Sequence, residues 1–120
     1  MLRDRVKLAA RIAFWAAAVL AYALAVMPGD PHVLPSDKAN HMLAFGTLAL
    51  LGRLGWSRAS ALAIGAGLIA FGVAIEVSQA LPVVGREASL ADIVADAVAV
   101  AAGLLAGSVL LAAVRRVQPA

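Results

Sequence analysis

The stretch ASALAIGAGLIAFGVAIEVSQALP, residues 59–82, contains a single charged residue, Glu76. About 20 residues of α-helix cross the roughly 30 Å hydrocarbon layer of a membrane. The apolar run at 59–81 therefore predicts a transmembrane helix, which Pro82 ends. A charged side chain within hydrocarbon costs about 2.5–3.5 kcal/mol on insertion scales. We therefore expect Glu76 to face other helices of a bundle, where a polar partner can offset that cost.

The composition of the whole chain agrees with a membrane protein. Hydrophobic residues make up 63% of the sequence, charged residues 14%, and the mean hydropathy is +0.93, outside the usual range of soluble domains. The 120 residues predict one domain, 1–120. The absence of cysteine excludes disulfides and thiolate chemistry. The basic residues flank apolar runs and are not interleaved with aromatics, so nucleic acid is not a predicted partner.

Three further apolar runs complete the predicted fold, an all-α membrane protein built as a bundle of four transmembrane helices with short loops. The predicted spans are residues 8–27, 39–56, 59–81 and 89–114. The second span has the shortest apolar middle, because Asn40 and His41 open it and Arg53 lies near its end.

The basic residues predict the orientation of the helices, because short cytoplasmic loops collect Lys and Arg. Eight of the ten basic residues lie before or at the start of the first span, at or after the end of the second span and before the third, or after the fourth: Arg3, Arg5, Lys7, Arg11, Arg53, Arg58, Arg115 and Arg116. Only Lys38 and Arg86 lie in the other two loops. The pattern predicts an N-in/C-in topology, with residues 29–38 and 82–88 facing outward.

One alternative concerns the first span, which has a basic start, an apolar run and two A-x-A triplets within residues 21–25. This pattern also occurs in cleaved signal peptides. The apolar run is at the long end for such a peptide, and cleavage would leave the topology of the other spans unchanged.

Helical spacing places the polar residues of the third and fourth spans on shared faces. Glu76 and Gln79 lie one turn apart on a face that continues to Gly72. Asp92 and Asp96 lie four residues apart on the fourth span, and that face continues to Ala99, Gly103 and Ala106, with Gly103 and Gly107 forming a small-xxx-small pair. Small residues of this kind let helices approach closely. Both polar pairs are therefore predicted to line the packed side of the bundle.

Antiparallel helices with short loops bring the polar positions to one end of the bundle, in the outer leaflet. The residues concerned are Asp37, Lys38, His41, Glu76, Gln79, Arg86, Asp92 and Asp96. The cations Lys38 and Arg86, with His41 when protonated, suit an anionic headgroup, and the carboxylates orient them. The predicted partner is a membrane lipid that bears phosphate or pyrophosphate. The alternative is an ion-pair network that only fastens the helices together.

The order of these residues resembles the VanZ-like family of small bacterial membrane proteins. The resemblance rests on Asp37-Lys38-x-x-His41-x-x-x-Phe45, on Glu76-x-x-Gln79 and on Arg86-x-x-Ser89-x-x-Asp92, and it covers residues 37–107. Where the family has Asn four residues after the aspartate, this chain has Asp96. The resemblance implies a multi-pass protein of the bacterial inner membrane, in the cell envelope, with a link to teicoplanin-type glycopeptide susceptibility and no assigned reaction.

Other functions are less well supported by the residues, and whether the protein is an enzyme stays open. A hydrolase or phosphotransferase acting on a lipid-linked substrate would use His41 as a base oriented by Asp37, with Arg86 as charge stabiliser, but no G-x-S-x-G motif is present.

A metal site built from His41 and the carboxylates would favour a hard cation, but no H-E-x-x-H spacing occurs, and no metal or other cofactor is predicted. A proton-linked transporter would need a polar path through the cytoplasmic halves of the spans, which are apolar.

Overall fold

The computed structural model describes residues 2–27, 36–84 and 90–117, and these residues form helices and turns without a strand. The helices are α1 Leu2–Val26, α2 Asp37–Gly55, α3 Ala61–Gln79 and α4 Leu90–Val117. The prediction of an all-α chain is confirmed. The helices differ from the predicted spans at their ends: α1 begins earlier, because the basic residues before the first span continue its helix, and α4 runs on to Val117.

Three of these helices are long and apolar enough to cross a membrane: Arg3–Val26 within α1, α3 and α4. The helix α2 is not among them, although residues 39–56 were predicted as a span. Its 19 residues include Lys38, His41 and Arg53, which lower its hydropathy. A crossing by α2 therefore stays a prediction.

The outer surface of the bundle is apolar. Large apolar side chains point outward at helical spacing along α1 and α4: Leu8, Ile12, Trp15 and Val19 on α1, and Val94, Val98, Leu105 and Val109 on α4. An exterior of this kind would be unfavourable in water and is suited to contact with lipid tails. The described structure therefore supports a membrane protein.

Side-chain contacts show that α1 and α3 run in the same direction, that α2 and α4 do so too, and that the two pairs run in opposite directions. Gln79 Nε2 donates to the carbonyl of Ala25 over 3.1 Å, which joins the last turns of α1 and α3. His41 and Asp96 join the beginnings of α2 and α4. The last turns of α1 and α3 and the first turns of α2 and α4 therefore lie together at one end of the bundle, called the polar end below.

Arginine side chains tie the opposite end together, called the basic end below. Arg11 Nε donates to the Gly55 carbonyl over 2.7 Å, and its guanidinium lies 5.3 Å from the ring centre of Trp56. Arg53 Nε donates to Ser108 Oγ over 3.0 Å. Because the last carbonyls of a helix have no partner within it, the Arg11 contact satisfies a group at the end of α2.

The core lies mainly between α2 and α4, where Phe45, Leu48 and Ala49 are at most 1% exposed. Small residues on α4 make this close approach possible, because a Cβ added at Gly103 would overlap the Gly46 carbonyl and lie 2.7 Å from Ala49 Cβ. Burial of Gly103 and Gly107 confirms the prediction that this pair lies in a helix interface. The prediction for Ala106 is wrong: it is exposed, because it lies to one side of the buried stripe.

Candidate functional site

Five polar residues are buried together at the polar end of the bundle, and they are called the polar cluster below. They are His41 on α2, Glu76 and Gln79 on α3, and Asp92 and Asp96 on α4, with exposed fractions of 8%, 4%, 3%, 6% and 1%. The prediction that Glu76 faces the bundle interior is confirmed. Three helices therefore each contribute a side chain that can ionise.

The histidine of the cluster is held by an aspartate from another helix. His41 Nδ1 and Asp96 Oδ1 lie 3.3 Å apart, both within buried side chains. In the tautomer with hydrogen on Nδ1, the ring donates to the carboxylate and carries its lone pair on Nε2. The sequence predicted Asp37 as an orienting residue for His41; the side chain of Asp37 lies outside the described structure, so this stays a prediction.

A glycine on α3 makes room for the Asp96 carboxylate. A Cβ added at Gly72 would lie 2.9 Å from Asp96 Oδ2 and 3.4 Å from the Phe45 ring. Gly72 was predicted only as part of a small face for helix contact. The structure shows that the missing side chain also lets a carboxylate from α4 pack against α3.

The first helix also reaches the polar end, which the sequence analysis did not predict. The Gln79 amide donates to the Ala25 carbonyl, and the hydroxyls of Tyr22 and Ser78 lie 2.8 Å apart. The one available signal was Tyr22, a hydroxyl-bearing residue within an apolar run. The first helix therefore fixes the end of α3 that carries Glu76 and Gln79.

Three members of the cluster converge on a small volume. His41, Glu76 and Asp92 each offer a ring nitrogen or a carboxylate oxygen, and these atoms all lie within 4.8 Å of one another. Asp92 lies in the first turn of α4, where the helix dipole favours a negative charge. Glu76 lies in the last turn of α3, where the dipole disfavours one. A positive charge near the end of α3 therefore stabilises the Glu76 carboxylate.

The remaining predicted site residues are not part of the buried cluster as described. Lys38 lies at the polar end with an exposed side chain. Arg86 falls within residues 85–89, outside the described structure, and so does the side chain of Asp37. The part of the cluster that the structure describes consists of three carboxylates, one amide and one imidazole. Within those residues the site is acidic, and its closest described cation is a surface lysine on α2.

Comparison of the chain with protein-family models, with curated proteins and with solved structures gives no match. The resemblance to the VanZ-like family therefore stays a prediction. Function has to be argued from the chemistry of the site, because a helical bundle alone is compatible with many functions.

Proposed function

We propose that this chain is a multi-pass protein of the bacterial inner membrane whose polar cluster binds the headgroup of an anionic envelope lipid. In this proposal all four helices cross the membrane, both termini are cytoplasmic and the polar end lies in the outer leaflet. The observation that carries the proposal is the burial of three carboxylates and a histidine at one end of a bundle with an apolar exterior. Ionisable groups at membrane depth are costly and usually serve a function.

The partner is a lipid because of where the polar residues lie. The cluster is at the end of the helices, which in the proposed orientation lies next to the headgroups, and Lys38 has an exposed side chain at the same end. A Lys side chain near an anionic membrane surface contributes about 1 kcal/mol of attraction. The polar amide of Gln79 and the carboxylates can accept hydrogen bonds from hydroxyl groups beside the phosphate. An envelope lipid that bears phosphate or pyrophosphate can make both contacts: its phosphate is attracted to Lys38, and its hydroxyl groups donate to Gln79 and the carboxylates.

The resemblance to the VanZ-like family extends this proposal to the cell envelope. A protein that binds a phosphate-bearing envelope lipid in the outer leaflet would alter the surface on which glycopeptide antibiotics of the teicoplanin type act. We therefore include a change in susceptibility to such antibiotics in the proposed function.

Native mass spectrometry of the protein, released from nanodiscs that contain phosphatidylglycerol or a polyprenyl pyrophosphate, tests the proposal. Retained anionic lipid is expected for the wild type. Lys38→Gln should weaken retention about fivefold, the equivalent of one surface lysine. Lys7→Gln, the same exchange at the basic end, should weaken retention less, because Lys7 lies away from the polar cluster. Equal retention of anionic and zwitterionic lipids by the wild type would refute headgroup binding.

The contact between His41 and Asp96 favours one second candidate, a hydrolase or phosphotransferase acting on a lipid phosphate. A histidine oriented by a buried carboxylate is the arrangement of a general base. Release of phosphate from a polyprenyl pyrophosphate by the wild type, and its loss in His41→Gln, would support this activity. Absence of release by a lipid-binding wild type would leave binding as the function.

A further inference from the structure

Three helices direct possible metal ligands to one place at the polar end. The ligand atoms of His41 on α2, Glu76 on α3 and Asp92 on α4 lie within 4.8 Å of one another. We infer that these three side chains bind a divalent first-row transition-metal cation. A metal site of His41 and the carboxylates was considered from the sequence, but spacing could not select these three residues, because they lie on separate helices and form no local motif.

The distances are close to those that a single ion requires. Ligands at about 2.1 Å from a metal lie about 3.4 Å apart in a tetrahedral site and about 4.2 Å apart when opposite each other in an octahedron. The separations among the three ligand atoms, at most 4.8 Å, exceed the octahedral value by no more than about 0.6 Å. The three residues supply three ligands, which leaves positions for water or for an oxygen of another molecule.

A second observation, the placement of Asp96, points independently to a bound cation. Its Oδ1 atom contacts Nδ1 of His41, which directs the lone pair of the ring to Nε2. A carboxylate that holds a metal-binding histidine in this way is a common outer-shell feature of metal sites. Oδ2 of Asp96, a residue only 1% exposed, is buried without a hydrogen-bond partner among the described residues. A cation nearby would compensate for that carboxylate.

The charges of the polar cluster favour the same conclusion. Glu76, Asp92 and Asp96 are three buried carboxylates at one end of the bundle, and carboxylate oxygens are ligands for divalent cations. Glu76 lies in the last turn of α3, where the helix dipole favours a nearby positive charge. Helix packing and metal binding then stabilise each other.

The ligand types narrow the identity of the metal. Carboxylate ligands suit Mg²⁺, Ca²⁺ and Mn²⁺, whereas an imidazole ligand suits Zn²⁺ and Fe²⁺. The hard cation considered from the sequence rested on five residues, of which four are carboxylates. The three that converge are two carboxylates and one imidazole, a mixed set for which Mn²⁺ and Zn²⁺ are the cations we test.

The cation would also explain how an acidic cluster accepts an anionic headgroup. This part of the inference rests on the proposed function. A cation held by protein oxygens and a histidine keeps open positions, and a phosphate oxygen is a suitable ligand for one of them. The positive charge then lies between the carboxylates and the phosphate. Lys38 at the surface adds a second attraction to the same end of the bundle.

Titration of chelator-treated, detergent-purified protein with Mn²⁺, followed by electron paramagnetic resonance, tests the metal site. One saturable site that Zn²⁺ displaces is expected for the wild type. Glu76→Gln and Asp92→Asn should each weaken Mn²⁺ binding by more than about tenfold, and Asp96→Asn by about 10–100-fold. Asp4→Asn, the same exchange at an exposed acid of the basic end, should bind Mn²⁺ like the wild type.

The wild type alone can overturn the inference: absence of a saturable site for both Mn²⁺ and Zn²⁺ would exclude it, whether or not any variant folds. Unchanged affinity in both Glu76→Gln and Asp92→Asn, at wild-type helix content by circular dichroism, would also exclude it.

Repeating the lipid-retention experiment with and without Mn²⁺ separates the two proposals. Lipid retention that depends on Mn²⁺ supports both. Mn²⁺ binding without selective retention of anionic lipid keeps the metal site and refutes headgroup binding. Selective retention of anionic lipid by a protein that binds neither Mn²⁺ nor Zn²⁺ keeps headgroup binding and refutes the metal site.

Discussion

Gly72 on α3 lies directly against the Asp96 carboxylate of α4, so that a β-carbon at position 72 would be 2.9 Å from Oδ2. Asp96 in turn contacts His41 on α2. One position without a side chain therefore allows a charged group to join three helices. The arrangement connects the packing of the bundle to the geometry of the polar cluster.

Gly72→Ala should displace the Asp96 carboxylate and lower the free energy of unfolding by about 1–3 kcal/mol, as added methyl groups do in packed sites. Gly67→Ala is the matched control on the same helix, because a Cβ there would meet no atom within 4 Å. SDS titration in mixed micelles measures the free energy of unfolding of both variants. In the background Asp96→Ala, most of the cost of Gly72→Ala should disappear. Strictly additive effects would contradict the proposed steric cause.

Gly103→Ala should destabilise the bundle more than Gly72→Ala does. Its new methyl group would meet the backbone of Gly46, and backbone atoms cannot rotate away as a carboxylate can. The same SDS titration should show a loss at the upper end of about 1–3 kcal/mol, with Gly67→Ala again as the control. A stability equal to the wild type would mean that α2 and α4 can separate slightly without cost.

The topology can be tested with single cysteines, because the natural chain has none. Val83 and Ala59 are both exposed and uncharged, and they lie at opposite ends of α3. In intact cells, a membrane-impermeant maleimide should label Val83→Cys and should label Ala59→Cys only after permeabilisation. The opposite pattern would refute the outward position of the polar end, and labelling of both residues in intact cells would refute a membrane crossing by α3.

Arg11→Met should lower the free energy of unfolding by about 1–3 kcal/mol, because it removes a charged hydrogen bond to Gly55 and a contact with the Trp56 ring. Arg5→Met removes an exposed arginine from the same helix and should have little effect. Thermal unfolding followed by circular dichroism measures the difference. Equal midpoints for the two variants would show that the contact between Arg11 and α2 contributes nothing.

The sequence predicted the helices and the buried faces of α3 and α4 well, because hydrophobicity and helical spacing act within one element. Glu76 and Asp96 were placed toward the interior for this reason. The partner of His41 could not be predicted, because spacing along one helix says nothing about the rotation and axial position of its neighbours. The convergence of His41, Glu76 and Asp92 and the contact of Gln79 with α1 depend on those same rigid-body relations.

The polar character of α2 has a consequence for how the protein is made. In the proposed arrangement, α2 crosses the bilayer although it is not apolar enough to qualify as a span by itself. Its main packing surface is α4, which leaves the ribosome after α2, and the contact is made through Gly46, Ala49 and Gly103. We therefore expect α2 to complete its insertion only after α4 has been synthesised. A nascent chain that stops before residue 90 would lack Asp96, the α4 residue that contacts His41.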